Sequence, residues 1–229
     1  MAKAKKIYQF KITLEGTSPA IWRRIQVPEY YSFWDLHVAI QNSMGWLDSH
    51  LHVFRHPDNG SGIGIPDEDG FIDAAEINPG WKVKLSRYFE YPDDFMEYEY
   101  DFGDSWKHMV KLEKILPAVP GRKYPRCIAG RMACPPEDCG GLEGYNELVD
   151  ILADPFHEEY ESTVKWLDEL YNNPARGIYS PDIFNPAAVK FDDPSERLKT
   201  IFSEPDIDLI EDSIRKKHPS LRINDMTGK

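Results

Sequence analysis

The chain has 229 residues, 41% hydrophobic and 13% aromatic, which is enough apolar material for one sizeable core and excludes disorder over most of its length. Its net charge of −12 is uneven, with seven Lys/Arg against five Asp/Glu in residues 1–60 and 20 against 34 beyond, so nucleic acid is disfavoured as a partner. No run reaches the roughly 18 to 20 apolar residues of a membrane span, and the Met-Ala-Lys-Ala-Lys-Lys start has no apolar leader; no membrane partner and a cytoplasmic location are expected.

In chain order, Tyr8, Phe10, Ile12 and Leu14 alternate with polar residues as in a half-buried strand, and Ile21 to Val27 alternate again after a turn at Gly16-Thr17-Ser18-Pro19. Pairing Leu14 with Ile21 sets Phe10 against Ile25, Tyr8 against Val27 and Ile12 against Arg23. Arg23 then sits among apolar neighbours. Either its stem lies along the core with the head in water, or it is a partly buried cation holding a carboxylate. Ser32 and Asp35 form a capping box for a helix to about Met44, with Phe33, Leu36, Ala39, Ile40 and Met44 inward and Gly45 as its stop. A strand at His50–His56 completes a hairpin–helix–strand order compatible with a β-grasp-like start.

Residues 57–80, rich in Gly, Asp, Pro and Asn, read as an exposed excursion, and 117–141 as an irregular loop rich in Pro and Cys. Between them lies Tyr98-Glu99-Tyr100-Asp101-Phe102-Gly103-Asp104-Ser105-Trp106-Lys107-His108, a strand–turn–strand pattern. A three-residue turn, Gly103-Asp104-Ser105, faces Tyr100 with His108 and Asp101 with Lys107, which sorts apolar against apolar and acid against base. Helical spacing follows at Leu142, Tyr145, Leu148, Val149 and Leu152, then at Tyr160, Val164, Leu167 and Leu170. Asp193-Pro194 opens a short helix carrying Leu198, Ile201 and Phe202, and 207–217 reads as a last helix. The expected fold is α+β: a single domain over 1–203, in which the second hairpin joins the sheet and a helical C-terminal part packs on it, followed by a helix and polar tail at 204–229.

Cross-strand pairing explains most of the hairpin's residues, but not Asp104 in the turn or His108 on the aromatic face. A candidate binding pocket has Arg23 or Arg24 meeting Asp101, Asp104 or Glu137, with Trp22, Trp106 and His108 as walls; a structural ion-pair network is the competing reading. Such a lining suits a peptide or small polar metabolite. The spacing Cys127-x6-Cys134-x4-Cys139 lacks the paired C-x2-C knuckles of a zinc site, so ordinary thiols and no cofactor are expected. The alternative is zinc on those cysteines with a histidine such as His50 or His52; His56 shares their strand parity.

Several ordered segments resemble the plasmid pRiA ORF-three-like family, whose members often carry the label TnpR-like resolvase or mobile-element passenger protein. They are Ile21-Trp22-Arg23-Arg24, Ser32-Phe33-Trp34-Asp35-Leu36-His37, Met44-Gly45-Trp46, His50-Leu51-His52, Tyr100 through His108, Tyr124-Pro125-Arg126-Cys127 and Cys134 through Gly141. The resemblance covers about residues 7 to 190 and implies an α+β domain without assigning a reaction. A serine recombinase needs an activated serine among arginines and usually a basic helix-turn-helix, and neither is evident. The leading expectation is a non-enzymatic binding or adaptor domain for a protein or small polar ligand, with no catalytic residues. The alternative is a metal-dependent hydrolase or nuclease using histidines with Asp101, Asp104 or Glu137, and the third is a DNA-associated mobile-element accessory using Arg23, Arg24 and the lysine-rich start.

Overall fold

A computed structural model describes residues 5–66, 77–170 and 179–201. The strands are β1 (Lys6–Leu14), β2 (Trp22–Pro28), β3 (His52–His56), β4 (Asn59–Gly64), β5 (Ile77–Pro79), β6 (Phe95–Tyr100), β7 (Trp106–Pro117) and β8 (Arg126–Arg131). The helices are α1 (Phe33–Met44), α2 (Gly141–Ala153), α3 (Tyr160–Leu170) and α4 (Pro194–Ile201). All eight strands form one sheet in the order β5-β4-β3-β6-β7-β1-β2-β8, antiparallel except where β4 meets β5. The fold is α+β. No helix among the described residues is long and apolar enough to cross a membrane.

The first hairpin has the register its alternation predicts: Phe10 faces Ile25, Tyr8 faces Val27 and Ile12 faces Arg23. Ser32 caps α1 through a complete capping box with Asp35, and Gly45 ends it in the left-handed region at φ 95°. The helix is buried on nearly every side. Phe33, Leu36, Ala39, Ile40 and Met44 enter the main core, while Trp34 and Val38 pack under Leu198 and Ile201 of α4. Tyr145, Leu148 and Leu167 of α2 and α3 close the core from the C-terminal side.

The hairpin–helix–strand order of the start is present, and β6 and β7 lie between β3 and β1 in the sheet. Two expectations are corrected. The stretch 57–80 is not all exposed: β4 and β5 extend the sheet edge, with Ile63 and Ile77 buried. The Pro/Cys loop contains β8, which pairs with β2. The helix expected at 207–217 lies outside the described residues.

Arg23 is 1% exposed and takes neither expected role. Its Nε donates to Ser43 O at 2.8 Å, and Nη1 donates to Trp22 O at 2.9 Å and Arg131 O at 3.0 Å. The guanidinium lies over the Phe184 ring, 3.6 Å from its centroid. No carboxylate among the described residues pairs with it. The Ser43 carbonyl belongs to the last turn of α1, where carbonyls lack helical partners and carry the negative end of the helix dipole, so partial charges compensate this buried cation. Burial pushes its pKa down, and that cost is offset by the carbonyls and the ring. At Gly130 a Cβ would stand 2.3 Å from Phe184, which explains why the strand under that ring carries no side chain.

Arg23→Met leaves the buried Ser43 carbonyl and the part-buried Arg131 carbonyl without their donor and should destabilise the chain by about 3 kcal/mol in urea unfolding. Arg23→Lys should recover little, because an ammonium lacks the planar fork that spans diverging carbonyls while stacking on a ring.

Candidate functional site

The tip of the β6–β7 hairpin meets the loop after β8 and the segment between α1 and β3. The hairpin register differs from expectation by two residues: Tyr100 faces Trp106, Tyr98 faces His108 and Glu99 faces Lys107. The shift preserves the parity of the pleat, so every side chain keeps its face. The turn is widened to Asp101–Ser105, and Asp101, not Asp104, closes it. Asp101 Oδ1 accepts from Gly103 N at 2.9 Å and Asp104 N at 3.3 Å, and Asp101 O accepts from Ser105 N at 2.6 Å. These bonds replace the ladder pairs expected there. Asp101 and Ser105 have φ near 57° and 55°, a region aspartate tolerates better than most residues. Phe102 turns to the opposite face and packs on Val53 and Ile77.

Asp104 instead reaches across: its Oδ2 accepts from Gly140 N at 3.2 Å. Glu137 is buried, accepting from Tyr100 Oη at 2.6 Å and from Leu47 N at 3.1 Å. Beside them, His50 Nε2 lies 3.1 Å from Asp138 Oδ1 and 3.6 Å from Asp101 Oδ2. His50, Asp101 and Asp138 present their ligand atoms within 4.8 Å of one another. His50 and Asp138 reach solvent, whereas Asp101 is buried.

A second cluster is sealed under α1. Gln41 Nε2 donates to Tyr98 Oη at 3.0 Å; Tyr98 Oη and His37 Nδ1 are 2.9 Å apart, and His37 Nε2 and Asp48 Oδ1 are 2.6 Å apart. A proton order that serves these three contacts has the Tyr98 hydroxyl donating to His37 Nδ1 and the His37 Nε2–H donating to Asp48. Arg197 of α4 covers it, with Nε 3.6 Å from Asp48 Oδ2. His52 stacks on His37 at 3.4 Å with 7° between the rings, and neither of its nitrogens has a hydrogen-bond partner among the described residues. Burial, then the neighbouring His37, lowers the pKa of His52. Burial likewise holds the Tyr98 hydroxyl protonated. The chain could have signalled this cluster through His37 and Gln41, polar residues four apart in an otherwise apolar helix.

The residues of the expected pocket do not converge on one cavity. Asp101, Asp104 and Glu137 meet at the hairpin tip, as described. Arg23 is engaged by carbonyls. Arg24, on the other face of the sheet, holds Glu113 in a two-bond fork at 2.6 and 2.7 Å. Trp22 lies on that same face beneath Lys11 and Arg24, and Trp106 is buried against Trp46. His108 is buried, its Nδ1 donating to Trp106 O at 3.0 Å, and desolvation brings its pKa down to about 4. Cys127, Cys134 and Cys139 are free thiols whose pKa values burial raises, that of Cys139 to about 12. Neither convergent ligand cluster includes a cysteine.

On the face of the sheet away from α1, a cleft of about 320 Å³ opens beside the two hairpins. Glu15, Val53, Arg55, Glu97, Glu99 and Lys107 line it. Arg55 and Glu99 approach to 3.9 Å, and Ser105 Oγ donates to Glu99 at 2.7 Å.

The molecule is thus an α+β domain with one broad mixed sheet, a sealed polar core and a polar corner at its second hairpin. Residues 6–188 match the family described as plasmid pRiA4b ORF-3-like protein, and the chain belongs to that family. It is 40% identical over 163 residues to the uncharacterized protein y4hQ of Sinorhizobium fredii, covering 70% of this chain and 80% of that one. The crystal structure of MM3350 from Methanosarcina mazei Go1, a protein of unknown function, is similar at a TM-score of 0.70 and 44% identity, over 82% of this chain and all of that one.

The buried histidines predict an acid limb of stability. His108 protonates at about 4 when folded and near 6.5 when unfolded, so the unfolded chain binds more protons between those values. Stability is full above pH 6.5 and falls through that window, by about 3 kcal/mol from His108 alone. Urea midpoints measured from pH 7.5 downward check this, and His108→Leu should make the decline shallower.

Proposed function

We propose that this protein is a binding domain, not an enzyme, and that it holds a short polar peptide segment bearing both charges in the cleft beside its two hairpins. The observation that carries the reading is the cleft's lining, in which the cations of Arg55 and Lys107 interleave with the carboxylates of Glu15, Glu97 and Glu99 over one concave surface. Its volume is at the lower end of the roughly 300 to 1,000 Å³ usual for ligand sites. Val53 supplies an apolar floor. An amphoteric lining favours a ligand that answers both signs, because each unmatched charge would be desolvated without return.

The state of the proton-transfer groups supports the same reading. His37, His52 and His108 are 0%, 1% and 1% exposed, and the Tyr98 hydroxyl is consumed within the sealed cluster. The thiols are held away from the thiolate form that a nucleophile needs. Free cysteines also favour a reducing, cytoplasmic compartment.

Titrating the full chain with tetrapeptides combining Lys and Asp should shift the amide resonances of Arg55, Glu97, Glu99 and Lys107, and Lys107→Glu should weaken that binding about tenfold, the scale of one lost charge contact. Peptides that perturb none of these amides count against the cleft. Hydrolase or nuclease turnover abolished by Asp101→Asn or His108→Ala would defeat the non-enzymatic reading.

A further inference from the structure

The geometry points to a divalent transition-metal site formed by His50 Nε2, Asp101 Oδ2 and Asp138 Oδ1 at the corner between the hairpin tip and the loop after β8. Ligand atoms about 2.1 Å from a zinc-like ion stand roughly 3 to 3.5 Å from one another. The separations from His50 Nε2, 3.1 Å to Asp138 and 3.6 Å to Asp101, match that spacing, and all three atoms lie within 4.8 Å of one another. One imidazole with two carboxylates favours a first-row transition ion over magnesium or calcium, which prefer all-oxygen shells.

Asp101 supplies the second, independent argument. It is only 8% exposed, and both hydrogen bonds to its carboxylate fall on Oδ1, from Gly103 N and Asp104 N. Its Oδ2 accepts no hydrogen bond among the described residues and is aimed at His50. With Oδ1 fixed by the turn, Oδ2 is held in one direction and keeps its lone pairs for a partner outside the turn. No Lys or Arg among the described residues pairs with Asp101, Asp104, Glu137 or Asp138, and His50 is the one basic group at the corner. Exposure of His50 and Asp138 leaves an entry path and room for water ligands.

The sealed cluster of His37, Asp48 and His52 is a poorer cage. Its two imidazoles lie parallel at 3.4 Å, so their in-plane lone pairs run side by side and do not converge on one ion. At the corner, a bound ion would tie the turn of the second hairpin to the Asp138 loop and to the segment entering β3. This inference is independent of the peptide cleft, which lies on the other face of the sheet.

The test uses the full chain, stripped with EDTA and titrated by calorimetry with zinc and with manganese chloride. One ion should bind per chain with a dissociation constant in the micromolar range, and its addition should raise the melting temperature. His50→Gln and Asp138→Asn, both at solvent-exposed positions, should each weaken binding at least 30-fold, while Asp101→Asn, which keeps the oxygen that closes the turn, should do the same without unfolding the chain. The cobalt-loaded protein should lack a thiolate charge-transfer band. Absence of binding by either ion at 100 µM (about 5 kcal/mol) would overturn the site and leave His50 as an ion-pair partner of the two aspartates. Undiminished binding in the His50→Gln/Asp138→Asn double variant, or a thiolate band, would overturn it as well by locating the ion elsewhere.

Discussion

The fold depends on a buried cation, Arg23, that has no anion paired with it among the described residues. Arg23 gathers three separate parts of the chain around one guanidinium: the last turn of α1 through Ser43, the edge strand β8 through Arg131, and the segment before α4 through the Phe184 ring. A carboxylate in that position would bring a second charge to desolvate. Carbonyls that the end of a helix and the margin of a sheet leave unpaired need donors in any case, so the arginine and the backbone complete each other. The planar fork explains why guanidinium suits the position, since its donors diverge in one plane while its face remains free to stack.

Around that anchor the polar groups fall into two kinds. Those under α1, from Gln41 through Tyr98 and His37 to Asp48 and Arg197, are joined to one another and closed off by α4. A connected network of this type specifies one packing of helix on sheet, because sliding α1 would break several bonds at once. Those at the hairpin tip and on the open face include groups that reach solvent, such as His50, Asp138 and Arg55. The division separates residues whose chemistry is consumed in holding the fold from residues available to something outside it.

Local rules served the first 45 residues well. The β1–β2 register followed from apolar alternation and a short turn, and α1 followed from a capping box and a glycine stop, all of which act within a few residues. The second hairpin was legible in its existence and its parity but not in its register. Charge pairing favoured a three-residue turn, whereas Asp101 closes a wider one with its own carboxylate, and Phe102 is drawn to Val53 and Ile77, which lie 49 and 25 residues before it in sequence. Strands β4, β5 and β8 escaped notice because they are short, with glycines in β4 and a proline in β5, and their pairing is imposed by the neighbouring strand.

At the site the same boundary applies. The sequence by itself determined that Asp101, Asp104, Glu137, His50 and His108 were residues of interest, because charged and titratable groups stand out against an apolar pattern. Only the tertiary structure decided their fates: His108 sealed in the core, Arg23 bound to carbonyls, Arg24 turned to the opposite face with Glu113, and His50 brought between Asp101 and Asp138. Residue type and strand parity are properties of a short segment. Which carboxylate meets which cation depends on loops closing over 37 residues between Asp101 and Asp138 and 88 between His50 and Asp138, and no local preference carries that information.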